Sequence, residues 1–438
     1  VALQDELEPI LSQIRTEAGE RWDKYLTSIP ADDQERNAAE WQKITNEYYG
    51  TVDDLLTRFR RYYALDAHDF KVNIAQLADP VRSAQHGDAL VNRPLGGTAV
   101  GSIFSAEDNY MTDVSNMIQA DQWNSPAAKA FQENFLKPFE KASQWQQAYT
   151  MELSIAVHAL EGVSQRSKRA IKFVAESCLG ALQGHQKYQG DLGFPDTSKD
   201  LPGKDVADGV GILTGVIGLF AAGPVGLVVG GIGLASGLYG AAKNGYTEPH
   251  LEVEYRDAPQ GIITQTEYAI KNLNEWIADQ DEAIGGGLTK DLSSDDAFAS
   301  PSLKLPPPGI NAGTYQKLGF LDAPGGPNHV VVSVVKLGQC GAYNLPGAAY
   351  EYDLAAGKID ACQIPGTMST FFPRSISPFN TSVDQLGDIL RDVRDSLERA
   401  GDAMLKAARN YETTDSEQSE IISQISAIPP HHSIAPTK

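Results

Sequence analysis

Three cysteines, eight histidines and an excess of carboxylates are the side chains from which this sequence could build a reactive site. Cys178, Cys340 and Cys362 form no C-x-x-C pair, so their spacing argues against structural zinc. Cys340 and Cys362 flank one stretch that reads as β-rich and could bridge across it, leaving Cys178 free inside a helix. His158 falls within a long helical pattern with no nucleophile beside it, which is the setting of a packing histidine rather than a base. His431-His432 sits in a polar tail, where solvation outweighs metal binding. No H-E-x-x-H, G-x-x-x-x-G-K-S/T or G-x-S-x-G pattern occurs. Gly209-Val210-Gly211 opens like a dinucleotide loop but has neither a preceding strand nor a later acidic partner. The reading is non-enzymatic, with no cofactor and no metal.

The charge balance removes a second class of function. Against 36 Lys+Arg stand 57 Asp+Glu, for a net charge of -21. Such a field repels phosphate backbones, and no basic stripe offsets it, so nucleic acid is excluded as a partner. The N-terminus, ValAlaLeuGlnAspGluLeuGluPro, shows no basic, apolar and small-residue succession of a cleaved signal peptide. A cytoplasmic protein would read this way, and so would one exported folded by another route.

The elements that must position any functional residue are mainly helical. Residues 1–66 read as a helical hairpin. Leu3, Leu7, Leu11, Ile14 and Trp22 share one face, Pro30 breaks the chain, and Trp41, Tyr48, Val52, Leu55 and Phe59 repeat the pattern. Residues 67–185 hold a linker (86–103) and a second hairpin. In it Ser105 and Asp108 resemble a capping box opening a short helix that ends near Gln122. From Pro126 a helical pattern runs almost to Gly184, with a kink expected at Pro138; unbroken it would be a rod of roughly 85 Å rather than a globule element. Residues 251–285 read as a short strand and a helix, 310–370 as a small β-hairpin insertion, 383–415 as a C-terminal helix and 416–438 as a flexible tail. The predicted fold class is mainly α: an elongated antiparallel helical bundle carrying that insertion and an apolar Gly-rich hairpin.

Two short motifs carry a family resemblance. Trp123-Asn124-Ser125-Pro126-Ala127-Ala128-Lys129-Ala130-Phe131 resembles the Trp-x-Gly turn of the WXG superfamily of type VII (ESX) secretion substrates. Trp123, the Ala127-Ala128 pair and Phe131 match; Ser125 stands where the family has glycine. Small residues let two helices touch at a tight turn, and the indole and phenyl rings can close its end. Tyr411 and Asp415 are similar to the family's Tyr-x-x-x-Asp export signal at the end of a helix. Tyr49 with Asp53 and Tyr62 with Asp66 have the same spacing, and only Tyr411 ends an amphipathic helix before a tail. The resemblance implies that the Trp turn and the Tyr signal meet when two hairpins pack side by side. It also implies a secretion-system ATPase or chaperone as partner. The protein would then be cytoplasmic before export, and secreted or at the cell surface afterwards without loss of a signal peptide.

Residues 206–243 form the apolar Gly-rich hairpin, free of charge from Gly209 to Ala242. Gly211, Gly215, Gly226 and Gly230 give small-xxx-small spacing, and Pro224 divides the segment. Two readings stand open. The hairpin is either a permanently buried structural element or a membrane-inserting one, as in helical pore-forming toxins, where oligomers form. An intracellular scaffold or chaperone for such substrates is a third reading of the whole chain.

Overall fold

The computed structural model describes residues 1–30, 38–78, 97–120, 123–124, 126–185, 249–295, 297–305 and 331–412. Outside them lie the 206–243 segment with Gly211, Gly215, Pro224, Gly226 and Gly230, the tail with His431-His432, and both Ser125 and Asp415. The described chain is mainly helical. Helix α1 (Leu3–Thr27) buries Leu3, Leu7, Leu11, Ile14, Ala18 and Trp22 on one stripe. It packs antiparallel to α2 (Ala38–Arg60). Trp22 stacks on Tyr48 at 4.4 Å and donates to Thr45 Oγ1 at 3.2 Å, while Glu8 pairs with Arg60 at 2.8 Å. A 3-10 turn (Arg61–Asp66) and α3 (Phe70–Leu77) follow.

The long helical pattern becomes three joined pieces: α6 (Pro126–Phe131), a π-turn at Gln132–Leu136, and α7 (Lys137–Leu182). The π-turn lies just upstream of Pro138, where a proline's missing N–H and its ring crowd the preceding turn. Helix α7 is not the free rod its length suggests. Every residue from Gln146 to Leu160 is buried, so the helix is the axis of the molecule, with α1, α3 and α8 (Pro259–Leu292) laid against it. A helix apolar on one face only could not take that position; here Ala148, Met151, Leu153, Ile155, Ala156, Val157 and Leu160 point all round. Several of its buried polar groups are met by backbone carbonyls of neighbouring segments. Gln146 Nε2 donates to the Leu303 carbonyl at 2.6 Å, Ser154 to that of Ala78 at 2.9 Å, and Tyr149 to that of Ser382 at 3.2 Å.

Four expectations are corrected. The segment 310–370 is no β-hairpin where it is described. After a two-residue strand β2 (Val331–Val332) it forms α9 (Val334–Gln339), a π-turn (Cys340–Asn344) and α10 (Leu345–Asp360). The β-branched run is overridden because Ser333 caps a helix, accepting from Lys336 N, and because Ala348, Ala349, Tyr352, Ala355, Ala356 and Ile359 bury at three- and four-residue steps. Cys340 and Cys362 are free thiols. The helical run between them spans about 30 Å at 1.5 Å per residue, far beyond the reach of a disulfide. The third hairpin arm opens at Ala99 rather than near Ser105: Thr98 is its cap, accepting from Gly101 N at 3.0 Å. Residues 251–255 alternate as expected, with Leu251 and Val253 buried, but among the described residues pair with no strand; Val253 N bonds to Ser177 Oγ on α7 at 3.1 Å. Among the described residues no helix is long and apolar enough to cross a membrane.

Candidate functional site

The arm that opens at Ala99 comprises α4 (Ala99–Ser105), a π-turn (Ala106–Met111) and α5 (Thr112–Gln119). It folds back along α6 and α7, as the contacts of Glu107 with Ser143 and Gln147 show. Between the arms, β1 (Trp123–Asn124) makes the turn. Trp123 is 1% exposed; its ring lies 5.8 Å from that of Phe131, which stacks on Phe135 at 5.0 Å, and Ala127 and Ala128 are buried with it. The indole is thus a plug of the hairpin end and is not offered to a receptor. Among the described residues its Nε1 has no hydrogen-bond acceptor.

Helix α11 (Ile376–Glu412) packs antiparallel on the run from α9 to α10. Asp360 meets Arg391 at 2.7 Å, Asp353 meets Arg394 at 2.7 Å, and Gly341 lies against Gly401 and Leu405. That run is in turn antiparallel to the α4–α5 arm. Lys358 Nζ donates to Ser102 Oγ at 2.8 Å, Asn344 Nδ2 to Asp113 Oδ2 at 3.3 Å, and Cys340 Sγ lies 3.8 Å from Met117 Sδ. These registers fix the two chain ends. Helix α11 finishes alongside α9, α9 begins directly after β2, and β2 pairs antiparallel with β1, Trp123 opposite Val332. The last turn of α11, which contains Tyr411, therefore ends at the same end of the molecule as the Trp123 turn.

Of the other two Tyr-x-x-x-Asp spacings, Tyr62 with Asp66 is taken up by the fold, while Tyr49 stays 38% exposed. Tyr62 is buried and donates to Asn274 Oδ1 at 2.7 Å, while Asp66 accepts from Leu3 N and Lys168 Nζ, both at 2.6 Å. Asp53 pairs with Arg15 at 3.0 Å. The three cysteines are buried, and desolvation pushes each thiol up to about 12, the opposite of a nucleophile's environment. Among the described residues no group of three or more His, Cys, Asp or Glu is placed to hold a metal ion. No family model, curated protein or solved structure matches the chain.

One titratable group at the hairpin interface was missed by sequence reasoning, because a lone Glu in an amphipathic helix carries no signal of its own. Glu107, on the π-turn of the α4–α5 arm, accepts from Ser143 Oγ at 2.8 Å. Burial raises its carboxyl above the ordinary range, and the Ser143 hydrogen bond only partly opposes this. The folded chain holds this proton to higher pH than the unfolded chain does. The stability so contributed is complete below the ordinary carboxylate range and is lost as pH rises through the raised value. Glu107→Gln, which keeps an acceptor for Ser143, is expected to stabilise the chain by about 1 kcal/mol at pH 7 and not at all near pH 4. Thermal melts of both proteins across that range measure the difference; an equal gain at both pH values would refute the titration argument.

Proposed function

We propose that this protein is a non-enzymatic substrate or effector of a type VII (ESX-like) secretion system, its body an elongated antiparallel helical bundle. One observation carries the reading: the last turn of α11 and the Trp123 turn finish at one end of the molecule although almost 290 residues separate Trp123 from Tyr411. In this reading the end of α11 presents Tyr411 and Asp415 to the secretion ATPase or to a dedicated chaperone, and Trp123 and Phe131 brace the hairpin end beside them. In this reading the buried Trp123 supports the turn rather than touching the receptor. The protein is cytoplasmic until export and secreted or cell-surface afterwards.

The test is the distribution of the protein between culture filtrate and lysate in a host carrying the cognate system. Tyr411→Ala combined with Asp415→Ala is expected to cut the exported fraction by about tenfold, the loss that some 1.4 kcal/mol of receptor affinity would produce. Lysate level and melting temperature should not change, since both positions lie at or beyond the end of α11. Undiminished export of the double variant would end the proposal.

A further inference from the structure

A groove of about 820 Å³ lies between α2 and its following 3-10 turn, α8, and the turn at 370–374 that leads into α11. Buried Tyr62, Ile270, Ile277 and Phe371 contribute its apolar lining, and Tyr268 beside them is 60% exposed, the most exposed aromatic ring among the described residues. The accessible charge of the lining runs against that of the chain. Acids outnumber bases 57 to 36 overall, yet here Arg58, Arg61, Lys271 and Arg374 face three accessible acids, Glu267, Glu275 and, just outside the lining, Glu282, while Asp281 is buried.

These cations are available. Arg58 meets the half-buried Glu267 at 3.4 Å, while Lys271 meets Glu275 at 3.6 Å and Arg374 meets Glu282 at 2.5 Å, both solvent-exposed pairs. Pairs of that kind contribute roughly 0–1 kcal/mol and exchange readily for an incoming carboxylate. Arg61 is exposed and, among the described residues, in no ion pair. Three residues after Arg58 at helical spacing, it lies on the same side of the wall.

We propose that this groove docks an acidic segment of a partner polypeptide carrying an aliphatic or aromatic anchor. Its carboxylates go to Arg58 and Arg61 and its anchor to Tyr268 and Phe371. A peptide fits better than a polyphosphate or an anionic membrane. Glu267 and Glu275, set among the cations, would repel a dense negative charge but can be matched by the amides and spaced charges of a chain. The site is independent of the secretion reading.

Calorimetry on the full chain tests it, with a synthetic peptide bearing Glu and Leu at alternating three- and four-residue steps. Its Gln-for-Glu analogue, inorganic pyrophosphate and phosphatidylserine vesicles are run in parallel. The Glu peptide is expected to bind, more weakly as salt shortens the screening length, and the Gln analogue not to. Arg61→Glu should weaken it by about tenfold and Tyr268→Ala by about fivefold, within the range of charge and aromatic anchors at interfaces. Both side chains are exposed, so unchanged melting curves certify the fold. Absent binding of the Glu peptide, binding indifferent to Arg61→Glu, or Arg61-dependent binding of pyrophosphate or vesicles without binding of the peptide would each overturn the proposal.

Discussion

Asp281→Ala is expected to destabilise the protein by about 3 kcal/mol, although Asp281 lies on α8 and the structure it holds is the start of α11. The carboxylate is 1% exposed and accepts from Arg374 N at 2.8 Å, Ser375 N at 2.9 Å and Ser375 Oγ at 2.5 Å. Helix starts leave backbone donors without intrahelical partners and carry partial positive charge, and a carboxylate there answers both. Removing it strands donors that no water can reach at Ser375, itself fully buried. The fit is tight on the other side as well: a Cβ at Gly285, one turn along α8, would fall 2.4 Å from the Arg374 carbonyl oxygen. Hydrogen exchange should show protection lost first in the amides of 374–380, with denaturant midpoints giving the total. Asp281→Asn, which retains one acceptor, should cost less than Asp281→Ala. Equal stability of Asp281→Ala and the parent, with those amides still protected, would show that the cap carries no weight.

Gly341→Val should have a comparable cost, about 2–3 kcal/mol, by overpacking a helix crossing. The Cβ of any residue at 341 would lie 2.9 Å from the Gly401 carbonyl oxygen and 3.0 Å from Leu405 N; from the other side, a Cβ at Gly401 would lie 3.0 Å from the Gly341 carbonyl oxygen. Backbone meets backbone here, so no rotamer change relieves the clash and α11 must move away. Gly357→Ala, on the same run of helices with nothing within 4 Å, is the matched control. It should stabilise by about 0.5–1 kcal/mol through helix propensity alone. The displacement also bears on function. If export depends on the end of α11 lying beside the Trp123 turn, Gly341→Val should lose export with Tyr411 and Asp415 intact, while Gly357→Ala should not. Limited proteolysis within 400–412 and filtrate assays on the same three proteins read both effects. A Gly341→Val protein as stable as the parent would contradict the close crossing.

Much of the local structure was legible in residue order. The three- and four-residue spacing of Leu3, Leu7, Leu11, Ile14 and Trp22, and of Leu386, Ile389, Leu390, Val393 and Leu397, is found on buried faces of α1 and α11. Likewise the small residues Ala127 and Ala128, beside the ring of Phe131, occupy the buried end of a hairpin turn. Periodicity is a local property, repeated every turn, so a window of residues contains it.

What the residues alone did not contain is which faces meet. Residues 330–335 have the composition of a strand, yet among the described residues only Val331 and Val332 pair, because Ser333 caps a helix that leads into the packing of Cys340 on Met117 and of Gly341 on Leu405. The α7 run reads as a rod until its neighbours cover every side of it from Gln146 to Leu160. Asp281 is one acid among 57 until the start of α11 arrives above it. That the last turn of α11 finishes at the same end of the molecule as Trp123 rests on helix registers and on the β1–β2 pairing, each set between segments remote in the chain. Short-range spacing writes the elements; complementarity over long sequence separations, which no single window holds, decides their partners.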